Sequence, residues 1–160
     1  YNFPSMPSYE EIISARDAWI ENNPGLKIIG AHICSMANNV DAVAARLDKY
    51  PNLSVEVGAR FGDLAMQDSE KVKSFFETYQ DRILFGTDYG TGEEESQLSA
   101  EEVRQEAERL EEQYKNLFHY LVSEDSMVLR KQNTKGLGLS KVVLSKIFSE
   151  NYLRYLKESN

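Results

Sequence analysis

The stretch YQDRILFGTD, residues 79–88, decides the fold. A polar turn leads into the apolar run Ile83-Leu84-Phe85, which stops on Gly86, Thr87 and a carboxylate, Asp88. A buried strand gains nothing in packing by ending on a bare charge, because an unpaired buried carboxylate is expensive. Two earlier segments follow the same pattern: NPGLKIIGAH at 23–32 and YPNLSVEVGAR at 50–60. Each runs from a Pro-, Asn- or Asp-bearing turn through Ile, Val or Leu to Gly, a small residue and a functional side chain. Those ends are His32, Arg60 and Asp88, and 28 positions separate each from the next. Such a period marks a recurring supersecondary unit.

The intervals read as helices. Ser8 with Glu11 three residues on is a capping box before a helix whose expected buried stripe is Ile12, Ile13, Ala15, Trp19 and Ile20. Asn38 or Asn39 can cap a second helix with Val40, Val43, Ala44 and Leu47 on one face. Ser69 is the expected cap of a third, lined by Val72, Phe75, Phe76 and Tyr79. Short strands alternating with helices indicate an α/β fold built of parallel βαβ units. In such folds ligands bind at the carboxyl ends of the strands, where His32, Arg60 and Asp88 all fall. The glycines just before them, Gly30, Gly58 and Gly86, are expected to leave room for a ligand. Each end residue has a plainer reading. A strand-end histidine is ordinarily packing, Arg60 could pair with Asp88 or Glu56, and Asp88 could cap a loop. Their coincidence favours a site.

The 160 residues are of single-domain size, with 18 Lys and Arg against 26 Asp and Glu, a formal charge of −8. That argues against nucleic acid or an anionic membrane as partner. Cys34 is the one cysteine, which excludes an internal disulfide and a Cys-rich metal site; a small buried hydrophobe is its expected role. No membrane-length apolar run and no signal-peptide pattern are present, so a cytoplasmic location is expected. Residues 90–99 read as an exposed, mobile acidic loop. The run 100–122 reads as a long helix with Ser99 and Glu102 forming its capping box. Its stripe of Val103, Ala107, Leu110, Tyr114, Leu117 and Leu121 is expected to pack on the domain, with His119 a packing or surface residue. Residues 123–136 read as a loop. A final helix or helix pair turns Val143, Leu144, Ile147 and Phe148 inward, continued by Tyr152 and Leu156.

With these strand ends in view, the chain resembles the carboxyl-terminal part of a metal-dependent amidohydrolase of the amidohydrolase-related (family 2) group. Decarboxylases of the aminocarboxymuconate-semialdehyde type belong to that group. The matching words are NNPGLKIIGAHICS, LDKYPNLSVEVGARFGDL, YQDRILFGTDYG and the closing KGLGLSKVVLSKIFSENYLRYL. The resemblance implies strands six to eight of a (β/α)8 TIM barrel, incomplete in this chain. Residues 1–160 would form a partial barrel domain with an acidic loop/helix insertion at 91–112. It implies that Asp88 binds the catalytic metal and takes the proton of the attacking water. His32 would polarise the substrate or, in two-metal members, ligate the second metal, and Arg60 would hold a substrate carboxylate. The implied cofactor is a divalent metal, zinc before manganese or magnesium. The implied partners are a small-molecule substrate and the missing N-terminal barrel half, with a homo-oligomer left open. The family's His-x-His is absent, and His119 is the only other histidine. The expected activity is hydrolysis of a carbonyl, amide or lactone bond in the intact protein, this piece alone being inactive. The alternatives are a non-oxidative decarboxylase on the same metal site and a non-enzymatic interaction module.

Overall fold

The computed structural model describes residues 6–90 and 98–157. Helix α1 (Tyr9–Asn22) begins at Ser8, whose hydroxyl accepts from the Glu11 amide while Glu11 bonds back to the Ser8 amide at 2.7 Å. Strand β1 (Ile28–Gly30) follows, then a short turn of helix α2 (Ala31–Cys34) and helix α3 (Val40–Lys49). Strand β2 (Leu53–Glu56), helices α4 (Phe61–Ala65) and α5 (Ser69–Thr78), and strand β3 (Ile83–Leu84) complete the repeat. The three strands form one parallel sheet in the order β1-β2-β3, with Gly30 opposite Val55 and Val55 opposite Ile83. The expected parallel α/β arrangement is present. Leu53, Val55, Val57 and Ile83 are fully buried with Val43 and Leu47 of α3 and Val72 and Phe76 of α5.

Local details differ from expectation. Asp68, not Ser69, caps α5, its carboxylate accepting from the Lys71 amide at 2.9 Å. The Ser69 hydroxyl instead donates to Lys135 O at 3.0 Å. In α1 the inward face is Ile13 and Ile20 with Arg16 and Asp17 half-buried between them, while Ile12, Ala15 and Trp19 are exposed. The rotation follows the charges: Arg46 Nε of α3 donates to Asp17 at 2.9 Å, and Arg16 donates to Cys34 O.

Helix α6 (Ala100–Val122) starts on the expected capping box, Ser99 with Glu102. Only its last turns are anchored: Leu117, Tyr120 and Leu121 are buried, Leu110 and Tyr114 half-buried, and Val103 and Ala107 exposed. The expected loop at 123–136 contains an antiparallel hairpin, β4 (Ser126–Leu129) and β5 (Gln132–Lys135). Its two turn residues, Arg130 and Lys131, both adopt positive φ. Such a tight turn ordinarily carries Asn-Gly, and the missing signal hides the hairpin in the sequence. Residues 91–97, most of the expected acidic loop, lie outside the described residues.

The chain closes with α7 (Lys141–Ser145), a π-helical turn (Lys146–Glu150) and α8 (Asn151–Lys157). Val143 and Ile147 are buried as expected; Leu156 is exposed, and Asn151 is buried in its place. This segment lies along the outer edge of β3. The Phe85 amide donates to Ile147 O at 3.0 Å, and Tyr152 Oη donates to Phe85 O at 2.9 Å. Asn151 Nδ2 donates to Gln80 O and Ile83 O at 2.8 and 2.7 Å. The β3 flank is thus hydrogen-bonded to the chain's own helix, while β1 forms the other edge of the sheet. No helix among the described residues is long and apolar enough to cross a membrane.

Candidate active site

The strands are shorter than the sequence suggests, so the three end residues sit in the βα turns just beyond them. Backbone in the left-handed region gathers there: His32 through Ser35 after β1, Ala59 after β2 and Asp88 after β3. Outside the hairpin turn these are the only described non-glycine residues with positive φ. Each such residue costs about 1 kcal/mol or more, and strain of this kind persists where surrounding contacts over-determine it. Around His32 those contacts are visible. Its amide lies 3.5 Å from Glu56 Oε2, and its ring Nδ1 is 2.9 Å from Gly58 O. Two turns of backbone follow, with the Ser35 amide on His32 O and the Met36 amide on Ile33 O.

Gly58 O can only accept, so the neutral imidazole carries its proton on Nδ1 and leaves the Nε2 lone pair open. Nε2 faces Asp88, 3.9 Å from Oδ1. That separation exceeds a direct hydrogen bond and suits a bridging water. The structure thus brings His32 and Asp88 together from the first and third turns. Asp88 is 53 % exposed, so no burial penalty stands against it; the expected buried strand end is an open turn. Arg60 is not joined to them. It precedes α4, and its Nη1 lies 3.6 Å from Asp63 Oδ2. Its Nε is buried without a hydrogen-bond partner.

Glu56 is the residue the sequence reading passed over as a site member. Its carboxylate accepts from the Gly58 amide and the His32 amide, tying the first turn to the second. A Cβ on Gly86 would stand 1.8 Å from Glu56 Oε1, and one on Gly58 2.5 Å from it. A Cβ on Gly30 would stand 2.0 Å from Cys34 Sγ. The room under the site is therefore filled by Glu56 and Cys34, not held for a ligand. A charged residue between Val55 and Val57 was the available signal. Burial raises the Cys34 thiol pKa and keeps it protonated. His119 is a surface residue, 3.3 Å from Asp125.

A family model described as Amidohydrolase, amidohydrolase family 2, matches residues 7–155. The chain belongs to this family. Amidohydrolase chemistry is, in general, metal-dependent hydrolysis. No curated protein and no solved structure gives a match. A catalytic zinc takes three protein ligands and a water. Among the described residues no group of three or more His, Cys, Asp or Glu side chains could hold a metal ion. Among the described residues His32 and Asp88 therefore stand as a pair, without a third side chain of that kind beside them.

Proposed function

We propose that this chain is the strand-six-to-eight portion of an amidohydrolase barrel and supplies the proton-handling side of a hydrolytic site. The observation that carries the reading is the 3.9 Å approach of His32 Nε2 to Asp88 Oδ1, with His32 Nδ1 tied to Gly58 O. Asp88, open to solvent, accepts the proton of a water within reach of both side chains. His32, with Nδ1–H committed to Gly58 O, first takes a proton on the Nε2 lone pair and, so protonated, donates from Nε2 to the substrate carbonyl or leaving group. Arg60 holds a substrate carboxylate through its exposed guanidinium, with the unpartnered Nε as a reserve donor. Asp88, with ligands from the rest of the barrel, would hold a divalent metal, which when bound would lower the pKa of its water.

The rest of such a barrel would meet this chain beside β1 and α1, and closing it beside β3 would require the closing helix to yield that edge. A closed (β/α)8 barrel takes about 250 residues. The exposed Ile12 and Trp19 of α1 are 50 % and 51 % accessible, the apolar surface a preceding βα unit would cover. The test uses the protein that carries this chain within a complete barrel, measuring bound metal and turnover on lactones and on aromatic carboxylates. Hydrolysis lost in Asp88→Ala with the fold intact is the expected result. Carbon dioxide release in place of hydrolysis would make it a decarboxylase; full activity in Asp88→Ala would end the proposal.

A further inference from the structure

Among the described residues, little covers the amino-terminal half of α6. Val103, Ala107, Leu110 and Tyr114 recur at spacings of four, three and four, a heptad seam. Val103 is 53 % exposed and Ala107 is exposed, while Leu110 and Tyr114 are half-covered by the domain. With Val103 and Leu110 at d and Ala107 and Tyr114 at a, the flanking e positions are Arg104 and Glu111, and the g positions Glu106 and Gln113. These flanks discriminate between partners. In a parallel pair g meets e of the next heptad, so Glu106 of each copy would face Glu111 of the other, two repulsive contacts. In an antiparallel pair e meets e, so Arg104 of each copy faces Glu111 of the other, two attractive contacts.

We propose that two copies of this chain pair antiparallel through α6, about a two-fold axis between Ala107 and Leu110. Val103 then lies over Tyr114 of the other copy, and the small Ala107 lets the helices approach closely at the axis. The free chain satisfies the same charges locally, Arg104 on Glu101 and Glu111 on Lys115, so the switch to intermolecular pairing gains little from charge alone. Fewer than two heptads are free to pair, so the association is weak and transient. The seam includes neither His32 nor Asp88, so the pairing stands or falls apart from the proposed activity.

Sedimentation equilibrium of the 160-residue chain, from micromolar to millimolar concentration, is the test. A reversible monomer–dimer equilibrium is expected, abolished by Leu110→Glu, with circular dichroism confirming that each variant keeps its fold. Arg104→Glu and Glu111→Arg should each weaken pairing about tenfold, since each turns two attractions into repulsions. The double variant should restore it. A chain that stays monomeric up to millimolar concentration would overturn the proposal, as would a dimer indifferent to Leu110→Glu. Tighter pairing in Glu111→Arg alone would also overturn it, because only parallel helices gain from that change.

Discussion

Replacing Asn151 by leucine isolates what joins the closing helix to the sheet. Asn151 is 3 % exposed, donates to Gln80 O and Ile83 O, and accepts from Arg154 at 2.9 Å. Leucine has the same number of side-chain heavy atoms, so no cavity opens, but it offers no donor. A lost hydrogen bond is worth about 1 kcal/mol, and a buried carbonyl left unpartnered costs about 1–3 kcal/mol. Ile83 O is enclosed and bears the full penalty, whereas Gln80 O lies nearer solvent and bears less. The sum is about 3 kcal/mol. For a chain of this size that corresponds to a fall in Tm of about 6–12 °C. Urea unfolding should show a lower midpoint with an unchanged slope. Leu156→Asn, at a position 65 % exposed, is the control and should stay within about 0.5 kcal/mol of the parent. A loss under about 1 kcal/mol for Asn151→Leu would refute the claim that this side chain holds the helix to β3.

Tyr152→Phe removes one hydrogen bond to Phe85 O and should cost about 1 kcal/mol, read from the same unfolding curves. Hydrogen bonds from Ser99 hold the Glu102 carboxyl below its usual pKa, and those from Ser8 do the same for Glu11. Both groups are depressed in the folded chain, so their stabilisation is complete above the ordinary carboxylate range and lost as pH falls through the folded value. Far-UV circular dichroism on acidification should show α6 fraying, with the Glu102→Gln variant lacking that component. Cys34 is buried with a raised thiol pKa, so iodoacetamide should label it in the native chain far more slowly than in the unfolded one. Equal rates would mean that the turn after β1 is open.

The parallel sheet was legible because its signals are local and repeated: a turn, a β-branched run, a glycine and a polar end, three times over. Both capping boxes were legible for the same reason, each resting on four consecutive residues. The inward face of α1 was not. Counting apolar side chains favours Trp19 and Ile12, but the Arg16–Asp17–Arg46 network claims the contact with α3, and its partner lies 29 residues away. Glu56 escaped notice because its work depends on two glycines and a histidine amide from other turns. The hairpin at Ser126–Lys135 escaped because its strands are largely exposed and polar and its turn uses Arg-Lys. At the site itself, the meeting of His32 with Asp88 was readable, but the separate lie of Arg60 and the left-handed turns after the strands were not.

The helix against β3 makes growth of the sheet a one-way matter. Docked on Phe85 and Ile83, it acts as a stopper, so another strand can zip on only beside β1. Copies meeting edge to edge would therefore end at a pair and could not polymerise into a ribbon. A ring of strands, by contrast, needs both margins, so closing one would require this stopper to be evicted and its bonds exchanged for a ladder.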